Sequence, residues 1–272
     1  MIVQSILNQF LANLYRYGDF SDYCENGLQI EGKRHIERIR FGVSLNLPFI
    51  EKAIDQKADA VIVHHGIFQQ GVFKLRGTLR HTVKMLLDND ISLYGIHLPM
   101  DAHPDMGHSA VLLKKIGAKN IMPFEKFGTR GENTNNYTLD HLLDLFHQFL
   151  HPSHPEPPSP GVQGEPVPFS FFPLSSRHGF QVLRNGPEIP RTVVIMSGGS
   201  SGYYEQAVEQ GADTFIGGDI KEKIPALSYE THTNFINLGH YFSEKPGILA
   251  LMKLISESFG VDTEYIEIPN PI

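Results

Sequence analysis

Short apolar runs alternate along this chain with segments of helical periodicity. Four of the runs indicate strands, and the run at 60–63 is rich in β-branched residues, which indicates a buried strand. The four runs lie at 39–45, 60–63, 91–97 and 193–196. Apolar residues at the spacing of one helix face mark further segments at 2–17, 48–56, 78–89, 109–116, 138–150, 203–210 and 244–259. This alternation predicts an α/β fold built on parallel strands.

Glycine, proline and capping residues set the ends of these elements. Pro99 and Pro104 break the periodicity after 97 and predict a loop there. Ser243 is placed to cap a helix over 244–259, and a last strand is predicted at 263–268. Seven of the eighteen residues at 151–168 are proline, which predicts an extended insertion and excludes a helix or a central strand.

Two adjacent histidines, His64 and His65, follow the apolar run at 60–63, and Gly66 comes next. Ligands of α/β proteins bind at the carboxyl ends of the strands, and Gly66 allows the chain to bend there. We therefore interpret His64 and His65 as half of a metal site. A chance pair of histidines at the start of a loop is the alternative.

Two later strand ends carry the same residue types. His97, Asp101 and His103 follow the strand at 91–97, and His240 and Glu244 follow a predicted strand that ends near 239. A solvated polar loop is the alternative for the first group. For Glu244 the alternative is an acidic residue in a first helical turn, where the helix dipole favours it.

Imidazole and carboxylate ligands suit zinc, manganese, iron or cobalt. The five candidates at these strand ends are too many for one tetrahedral ion with an open position. They are His64, His65, Asp101, His240 and Glu244. They fit two divalent ions about 3.5–4 Å apart.

Composition narrows the class of protein. The 272 residues are 41% hydrophobic and 19% charged, which is typical of a globular protein. The net charge of −7 argues against an extended nucleic-acid surface, and the single cysteine, Cys24, excludes an intrachain disulfide. No apolar run approaches the roughly 18–20 residues of a membrane span. The amphipathic N-terminus is unlike a signal peptide, so we expect a cytoplasmic protein with no membrane partner.

A glycine-rich turn follows the strand at 193–196. Ser197, Gly198 and Gly199 lead into the helix predicted at 203–210, and the backbone amides of such a turn can hold a phosphate group. A tight strand-to-helix connection without a ligand is an equal alternative.

An internal repeat is also visible. Residues 53–62 align with residues 207–216, with five identities in ten positions. Both units have the order strand, helix, strand, which predicts two related α/β halves. The positions of His64 and His65 correspond to Gly218 and Asp219, so the histidine pair belongs to the first half only.

Several motifs together resemble the GTP cyclohydrolase I type 2 homologues, a family of dinuclear-metal proteins. The resemblance runs nearly end to end. Its motifs are Asp22-Tyr23 to Gly32, the strand with His64-His65, Ile96 to Gly107, Ser197-Gly198-Gly199, Gly239 to Glu244, and Ile266 to Pro271. The chain departs from the family at Tyr241, His108, the Gly217-Gly218-Asp219 stretch and the proline-rich insertion, but no candidate ligand is lost.

The resemblance implies that the five candidates bind two metal ions and that Glu244 bridges them. It implies two similar three-layer α/β/α halves, with a metal-binding domain of residues 1–127 plus 235–272 and a second domain of residues 128–234. It also implies a homo-oligomer in the form of a ring-like hexamer, with the metal sites facing an inner cavity.

Three functions remain open from the sequence. The first is a metal-dependent hydrolase that opens the ring of a purine nucleotide, with His97 or His103 moving protons and the turn at Ser197, Gly198 and Gly199 holding a phosphate of that nucleotide or of another small molecule. The second is a metal-binding ring that regulates or scaffolds without catalysis. The third is a two-metal hydrolase of phosphoesters or damaged nucleotides.

Overall fold

The structure is a computed structural model that describes residues 1–70, 74–151, 174–268 and 270. The chain divides into two compact units. The first contains Met1–Met106 and Gly247–Asn270, and the second contains Gly107–Pro246. The proline-rich insertion predicted at 151–168 lies, from residue 152 on, outside the described residues.

The strands in the described residues of the first unit are β1 Ile2–Val3, β2 Gly27–Ile30, β3 His35–Ile36, β4 Arg38–Ser44, β5 Ala60–His65, β6 Ser92–Gly95 and β14 Asp262–Tyr265. Five of them form one sheet in the order β14-β4-β5-β6-β2, and β1 pairs with β3 in a separate two-stranded sheet. β14, β4, β5 and β6 are parallel, and β2 is antiparallel to β6. The helices are α1 Gln4–Tyr15, α2 Leu47–Asp55, α3 Gly77–Asp88, α4 Leu98–Asp101 and α10 Lys245–Phe259.

Alternate residues of the central strands face two separate cores in this unit. Ala60 and Ile62 of β5 belong to a buried cluster that includes residues of α1 and α10. Val61 and Val63 belong to a second cluster, with residues of α2 and α3. Because both faces of the sheet are covered, the residues of β5 at 60–63 are all apolar.

The strands in the described residues of the second unit are β7 Lys119–Phe124, β8 Gly128–Glu132, β9 Leu174–Arg177, β10 Phe180–Leu183, β11 Thr192–Ile195, β12 Thr214–Gly217 and β13 Asn234–Asn237. They form one seven-stranded sheet in the order β7-β8-β11-β12-β13-β10-β9. Its helices are α5 His108–Lys115, α6 Leu139–Leu150, α7 Tyr204–Glu209, α8 Ile224–Thr231 and α9 His240–Ser243.

Helices also cover both faces of this larger sheet. Val193 and Ile195 of β11 pack in a cluster with residues of α5 and α6. Val194 packs in another cluster, with residues of α7 and α8. The predicted α/β class is confirmed. Over the described part of the chain, no helix combines the length and the apolar character that crossing a membrane requires.

The boundaries of the two units differ from those predicted. Residues 107–127 and 235–246 lie in the second unit, whereas the sequence assigned them to the first. Sheet pairing explains the difference, because β7 pairs with β8 and β13 pairs with β12 inside the seven-stranded sheet.

Two local predictions were wrong. The segment after His97 forms the short helix α4, because Pro99 occupies a first-turn position that tolerates proline. The last long helix, α10, begins at Lys245, one residue later than predicted. Ser243 is the last residue of the preceding helix α9, where its hydroxyl donates to the carbonyl of His240 at 2.9 Å.

The two repeated stretches have the same local hydrogen bonding. The amide of Asp59 donates to the carbonyl of Arg38 at 2.9 Å, and the amide of Asp213 donates to the carbonyl of Thr192 at 3.1 Å. Each carboxylate also accepts two backbone amides at the start of the neighbouring parallel strand. A duplication of one ancestral half stays a prediction.

Asp59 offers a test of how the first unit is held together. Its carboxylate accepts the Nζ group of Lys33 at 2.9 Å and the amides of Glu37 and Arg38 at 3.0 Å. Burial raises the pKa of Asp59, but these hydrogen bonds outweigh burial and leave the pKa below its ordinary value. We expect Asp59→Asn to lower the free energy of unfolding by about 1–3 kcal/mol at pH 7, because an amide cannot accept from both sides.

The sign of the pH dependence follows from the lowered pKa. The stabilisation by the Asp59 carboxylate is present above its unfolded pKa and is lost as the pH falls through its lower folded pKa. The difference between wild type and Asp59→Asn in urea unfolding should therefore shrink on acidification. Asp55→Asn, at an exposed position of α2, is the matched control. A difference that stays constant down to pH 3 would contradict the assignment.

Candidate metal centre

Three histidines lie together at the carboxyl ends of two neighbouring parallel strands of the first unit. His64 and His65 end β5, and His97 follows β6 by two residues. A ring nitrogen of each lies within 4.8 Å of one from each of the other two. The ring centroids of His64 and His65 are 4.6 Å apart, and that of His97 is 5.0 Å from His64 and 5.7 Å from His65.

The Nδ1 atom of each of these rings is held by a group of the protein. His64 Nδ1 is 2.8 Å from the carbonyl oxygen of Ile96, His65 Nδ1 is 3.0 Å from the hydroxyl of Ser44, and His97 Nδ1 is 2.9 Å from Asp22 Oδ1. Such partners orient metal-binding histidines and leave Nε2 as the ligand atom.

Asp101 approaches this group at His64. It ends α4, its side chain is 10% exposed, and its Oδ2 atom lies 3.6 Å from His64 Nε2. One metal ion can bind both this oxygen and this nitrogen, because two metal–ligand bonds of about 2.0–2.2 Å are long enough to cover the distance between them. His64, His65 and Asp101 therefore have the chemistry and placement of metal ligands.

Asp22 fixes the loop that carries His97. Besides His97 Nδ1, its carboxylate accepts the amides of Cys24 and Leu98, both at 3.0 Å, and the Nδ2 group of Asn26 at 2.9 Å. Asn26 Oδ1 in turn accepts the amide of His97 at 2.7 Å. Burial raises the pKa of Asp22, but these hydrogen bonds outweigh burial and lower it. Asp22 is therefore an ionised acceptor for the Nδ1–H of His97.

Gln29 supports the turn that follows His65. Its Oε1 atom accepts the amide of Ile67 at 2.8 Å, and its Nε2 group donates to the carbonyl of Glu25 at 2.6 Å. A Cβ atom on Gly66 would lie 2.4 Å from Gln29 Oε1, and one on Gly95 would lie 2.5 Å from Gln29 Nε2. The side-chain amide occupies the space that these two glycines leave open.

The two remaining candidate ligands belong to the second unit. His240 begins α9, and Glu244 follows its last residue. His240 Nε2 lies 3.1 Å from Glu244 Oε1, and the side chains are 43% and 5% exposed. Glu244 lies against the glycine-rich turn, because a Cβ atom on Gly198 would be 2.4 Å from Glu244 Oε1 and 3.4 Å from His240 Nε2.

The glycine-rich turn uses several of its backbone donors within the protein. The amide of Ser197 donates to Ser109 Oγ at 3.2 Å, and that of Gly198 donates to Ser243 Oγ at 3.0 Å. Both the amide and the hydroxyl of Ser201 donate to Asp219 at 2.7 Å. Phosphate binding by Ser197, Gly198 and Gly199 stays a prediction, and the first two of these amides would have to exchange partners for it.

His103 and Cys24 also lie in the loops that carry the site. His103 Nδ1 accepts the amides of Asp105 and Met106 at 3.2 and 3.1 Å, which makes its ring a cap for the loop after α4. Burial raises the pKa of the Cys24 thiol to about 12. Although Cys24 Sγ lies within 4.8 Å of ligand atoms of Asp22 and His97, it is a protonated thiol at neutral pH.

Sequence reasoning missed the residues that hold the histidines in place. Asp22, Asn26, Gln29 and Ser44 carry no chemistry that is recognisable from spacing alone. The signal that marked three of them was the motif from Asp22 to Gly32, whose polar residues are now explained by contacts with the strand ends.

A family model and named relatives match this chain over nearly its whole length. The family model Duf34/NIF3 (NGG1p interacting factor 3) matches residues 1–271. A Haemophilus influenzae protein named GTP cyclohydrolase 1 type 2 homolog is 33% identical over 270 residues, which cover 99% of this chain and 98% of that protein. A Yersinia pestis protein of the same name is 34% identical over 269 residues, with 97% and 98% covered.

Solved structures show the same fold. Protein ybgI, described as of unknown function, superimposes with a TM-score of 0.82 at 32% identity, with both chains fully covered. TTHA1606 from Thermus thermophilus gives 0.83 at 26% identity, again with full coverage. The chain therefore belongs to the DUF34/NIF3 family.

Proposed function

We propose that this protein binds two divalent metal ions and uses them to hydrolyse the ring of a purine nucleotide. The ligands in this proposal are His64, His65, Asp101, His240 and Glu244. The observation that supports metal binding best is the pair of held Nδ1 atoms on His64 and His65, which makes Nε2 the ligand atom of each ring. The nucleotide substrate is suggested by the name of the relatives.

The donor set suits the proposed ions. Imidazole nitrogen and carboxylate oxygen are ligands for zinc, manganese, iron and cobalt. His64 and Glu244 are only 0% and 4% exposed, so water solvates these side chains poorly and a bound cation would compensate for the lost hydration. A divalent ion bound by such ligands lowers the pKa of a water molecule and polarises an oxygen or nitrogen of the substrate.

The other residues of the site orient or move protons in this proposal. His97 Nδ1 is held by Asp22, and His97 Nε2 is 3.3 Å from the hydroxyl of Tyr23, so a proton would pass between Nε2 and a ligand directly or through that hydroxyl. His103 is the second proposed proton carrier, but its Nδ1 atom is occupied by two backbone amides. His97 is therefore the stronger candidate.

The implied assembly forms part of the proposal. We propose that the protein is a homo-oligomer in the form of a ring-like hexamer. Light scattering coupled to size-exclusion chromatography tests this directly, since a hexamer has six times the 30.5 kDa mass of the chain. A monomer or a dimer at micromolar concentration would contradict it.

Turnover of GTP tests the proposed reaction. Protein reloaded with manganese, zinc or iron is incubated with GTP, and the products are separated by chromatography. We expect a ring-opened product from wild type and at least a 100-fold loss in Glu244→Ala, because a ligand carboxylate is removed. Glu209→Ala, at an exposed position of α7, is the matched control and should behave like wild type.

The negative outcomes separate the alternatives. About two ions per chain without a product from GTP would overturn the cyclohydrolase reaction and favour the metal-binding ring. Release of phosphate or another hydrolysis product, also lost in Glu244→Ala, would favour the phosphoester hydrolase instead. Failure to bind any of the three metals would overturn the proposal as a whole.

A further inference from the structure

Glu244 follows a helix that is too short to hold its own position. α9 has four residues, His240–Ser243, and Glu244 comes directly after the last of them. The amide of Glu244 donates to the carbonyl of His240 at 3.3 Å, which adds one more bond of the helical kind. A single helical turn is not stable by itself in water. Contacts with other elements must therefore set where the Glu244 carboxylate lies.

Two such contacts come from the C-terminal end of α6, within the same unit. The ring of Phe242, on α9, meets the ring of His151 with the centroids 4.4 Å apart. Lys245, the residue after Glu244, donates from Nζ to the carbonyl of Leu150 at 2.8 Å. Two consecutive residues at the end of α6 thus hold the chain on both sides of Glu244.

The contact of Lys245 is buried, and Lys245 is 2% exposed. Its acceptor, Leu150, is the last residue of α6. The last carbonyls of a helix have no partner inside the helix, and the helix dipole is negative there, so a lysine Nζ group is favoured. A buried Nζ group that moved away from its acceptor would lose a hydrogen bond without gaining water. The bond therefore fixes the residue next to Glu244 against α6.

The ring of His151 is itself held in a stack of histidines. The ring of His147, one helical turn earlier on α6, has its centroid 4.9 Å from that of His151. The ring of His178, from the turn between β9 and β10, stacks on His147 at 4.4 Å. His178 Nε2 lies 2.6 Å from Asp144 Oδ1 on α6. This packing limits the positions open to the His151 ring beside α9.

We propose that His151 and Lys245 are positioning residues for the metal ligand Glu244. This inference rests on the proposed function, in which Glu244 binds the metal ions, and it adds the end of α6 as the support of that ligand. His151 acts through Phe242, and Lys245 acts through the backbone that it shares with Glu244.

A Co²⁺ titration of the whole chain tests the role of His151. His151→Ala removes the ring beside Phe242, and we expect the dissociation constant for Co²⁺ to rise about tenfold, with a changed visible spectrum. His151→Phe keeps an aromatic ring and should restore both. His141→Ala, at an exposed position of the same helix, is the matched control. Equally weak binding by His151→Phe and His151→Ala would overturn the role of the aromatic contact.

Lys245→Met separates positioning from charge. Removal of a positive charge beside Glu244 would by itself strengthen the binding of a cation, because like charges repel. Removal of a positioning contact would weaken it. We expect the dissociation constant for Co²⁺ to rise about tenfold despite the lost charge. Lys253→Met, whose native side chain is 75% exposed, is the matched control. Tighter Co²⁺ binding by Lys245→Met would overturn the positioning role of Lys245.

Urea unfolding of the metal-free variants distinguishes positioning from stability. His178→Asn removes a ring that lies two places from Phe242 in the stack, and asparagine tolerates the φ of 56° at this position. It should lower stability and leave the Co²⁺ affinity and spectrum unchanged. If His178→Asn weakened Co²⁺ binding as much as His151→Ala, the loss would follow stability, and the inference would be overturned.

Glu244→Ala separates this inference from the proposed function. Loss of Co²⁺ binding in Glu244→Ala, with wild-type titrations of His151→Ala and Lys245→Met, would overturn the inference alone. A wild-type titration of Glu244→Ala would show that Glu244 is not a metal ligand, and the inference would fall together with that part of the proposed function.

Discussion

Gly198→Ala is expected to weaken metal binding at Glu244 by about 10- to 100-fold, although Gly198 carries no ligand atom. The new Cβ atom would lie 2.4 Å from Glu244 Oε1, which is far inside van der Waals contact. Glu244 is 4% exposed and has little space into which it can retreat. The carboxylate must therefore leave the position that it holds beside His240 Nε2.

The backbone adds to this effect. Gly198 has a φ of 65°, in the left-handed region where an L-residue costs roughly 1–2 kcal/mol. Alanine at this position therefore strains the turn and also displaces the carboxylate. A titration with Co²⁺ measures both consequences, because the affinity reports ligand loss and the visible spectrum reports ligand geometry.

The neighbouring glycine provides the control. A Cβ atom on Gly199 would lie 3.9 Å from His240 Cε1, which is an ordinary contact, and Gly199 is outside the left-handed region. Gly199→Ala should therefore bind Co²⁺ like wild type. If Gly198→Ala also bound Co²⁺ with wild-type affinity and spectrum, Glu244 would not be a metal ligand in the position described.

The core strands and the histidine pair could be predicted from the sequence because each is marked by a pattern of neighbouring residues. β5 is buried on both faces, so its apolar run is unbroken, and His64 and His65 stand out where that run ends. The end of β6 was placed in the same way, by the change from apolar residues to His97.

The remaining strands of the second unit carry weaker signals. β7 has the sequence KNIMPF, and most of its residues are exposed or half-buried, because β7 is an edge strand. β8 contains two glycines and a buried threonine in place of an apolar run. β7 pairs with β8, and β8 pairs with β11, which places residues 107–127 in the second unit. No local sequence pattern predicts the pairing of β8 with β11, whose residues are at least 60 positions apart.

The residues that support the site are close in space but far apart in the sequence, so their contacts cannot be inferred from sequence spacing. Asp22 and His97 are 75 positions apart, and Gln29 is 38 positions from Ile67, yet both pairs are hydrogen-bonded. The glycine-rich turn was identified from its sequence, but the contact between Gly198 and the carboxylate of Glu244, 46 positions later, was not. The residue types were informative, but their partners required the fold.

Loss of zinc-dependent stabilisation is the expected result of His65→Ala. A ligand that binds only the folded protein stabilises it by about 2.7 kcal/mol at 100 times its dissociation constant. For a chain of this size, that corresponds to an increase in Tm of about 5–10 °C for wild type. His65→Ala removes an imidazole whose Nδ1 atom is already held by Ser44, so the zinc-induced increase should be lost.

The comparison with the metal-free state isolates the ligand role of His65. His65 is only half-buried, so its removal should lower the stability of the metal-free protein by about 1 kcal/mol, through the hydrogen bond to Ser44. His81→Ala, at an exposed position of α3, should keep the full zinc-induced increase in Tm. An equal increase in His65→Ala and wild type would show that zinc binds without this imidazole. Of the two replaced residues, only His65 lies at the carboxyl end of β5 beside His64 and His97. If His65→Ala and His81→Ala both lost the zinc-induced increase in Tm, zinc would be bound non-specifically by exposed histidines.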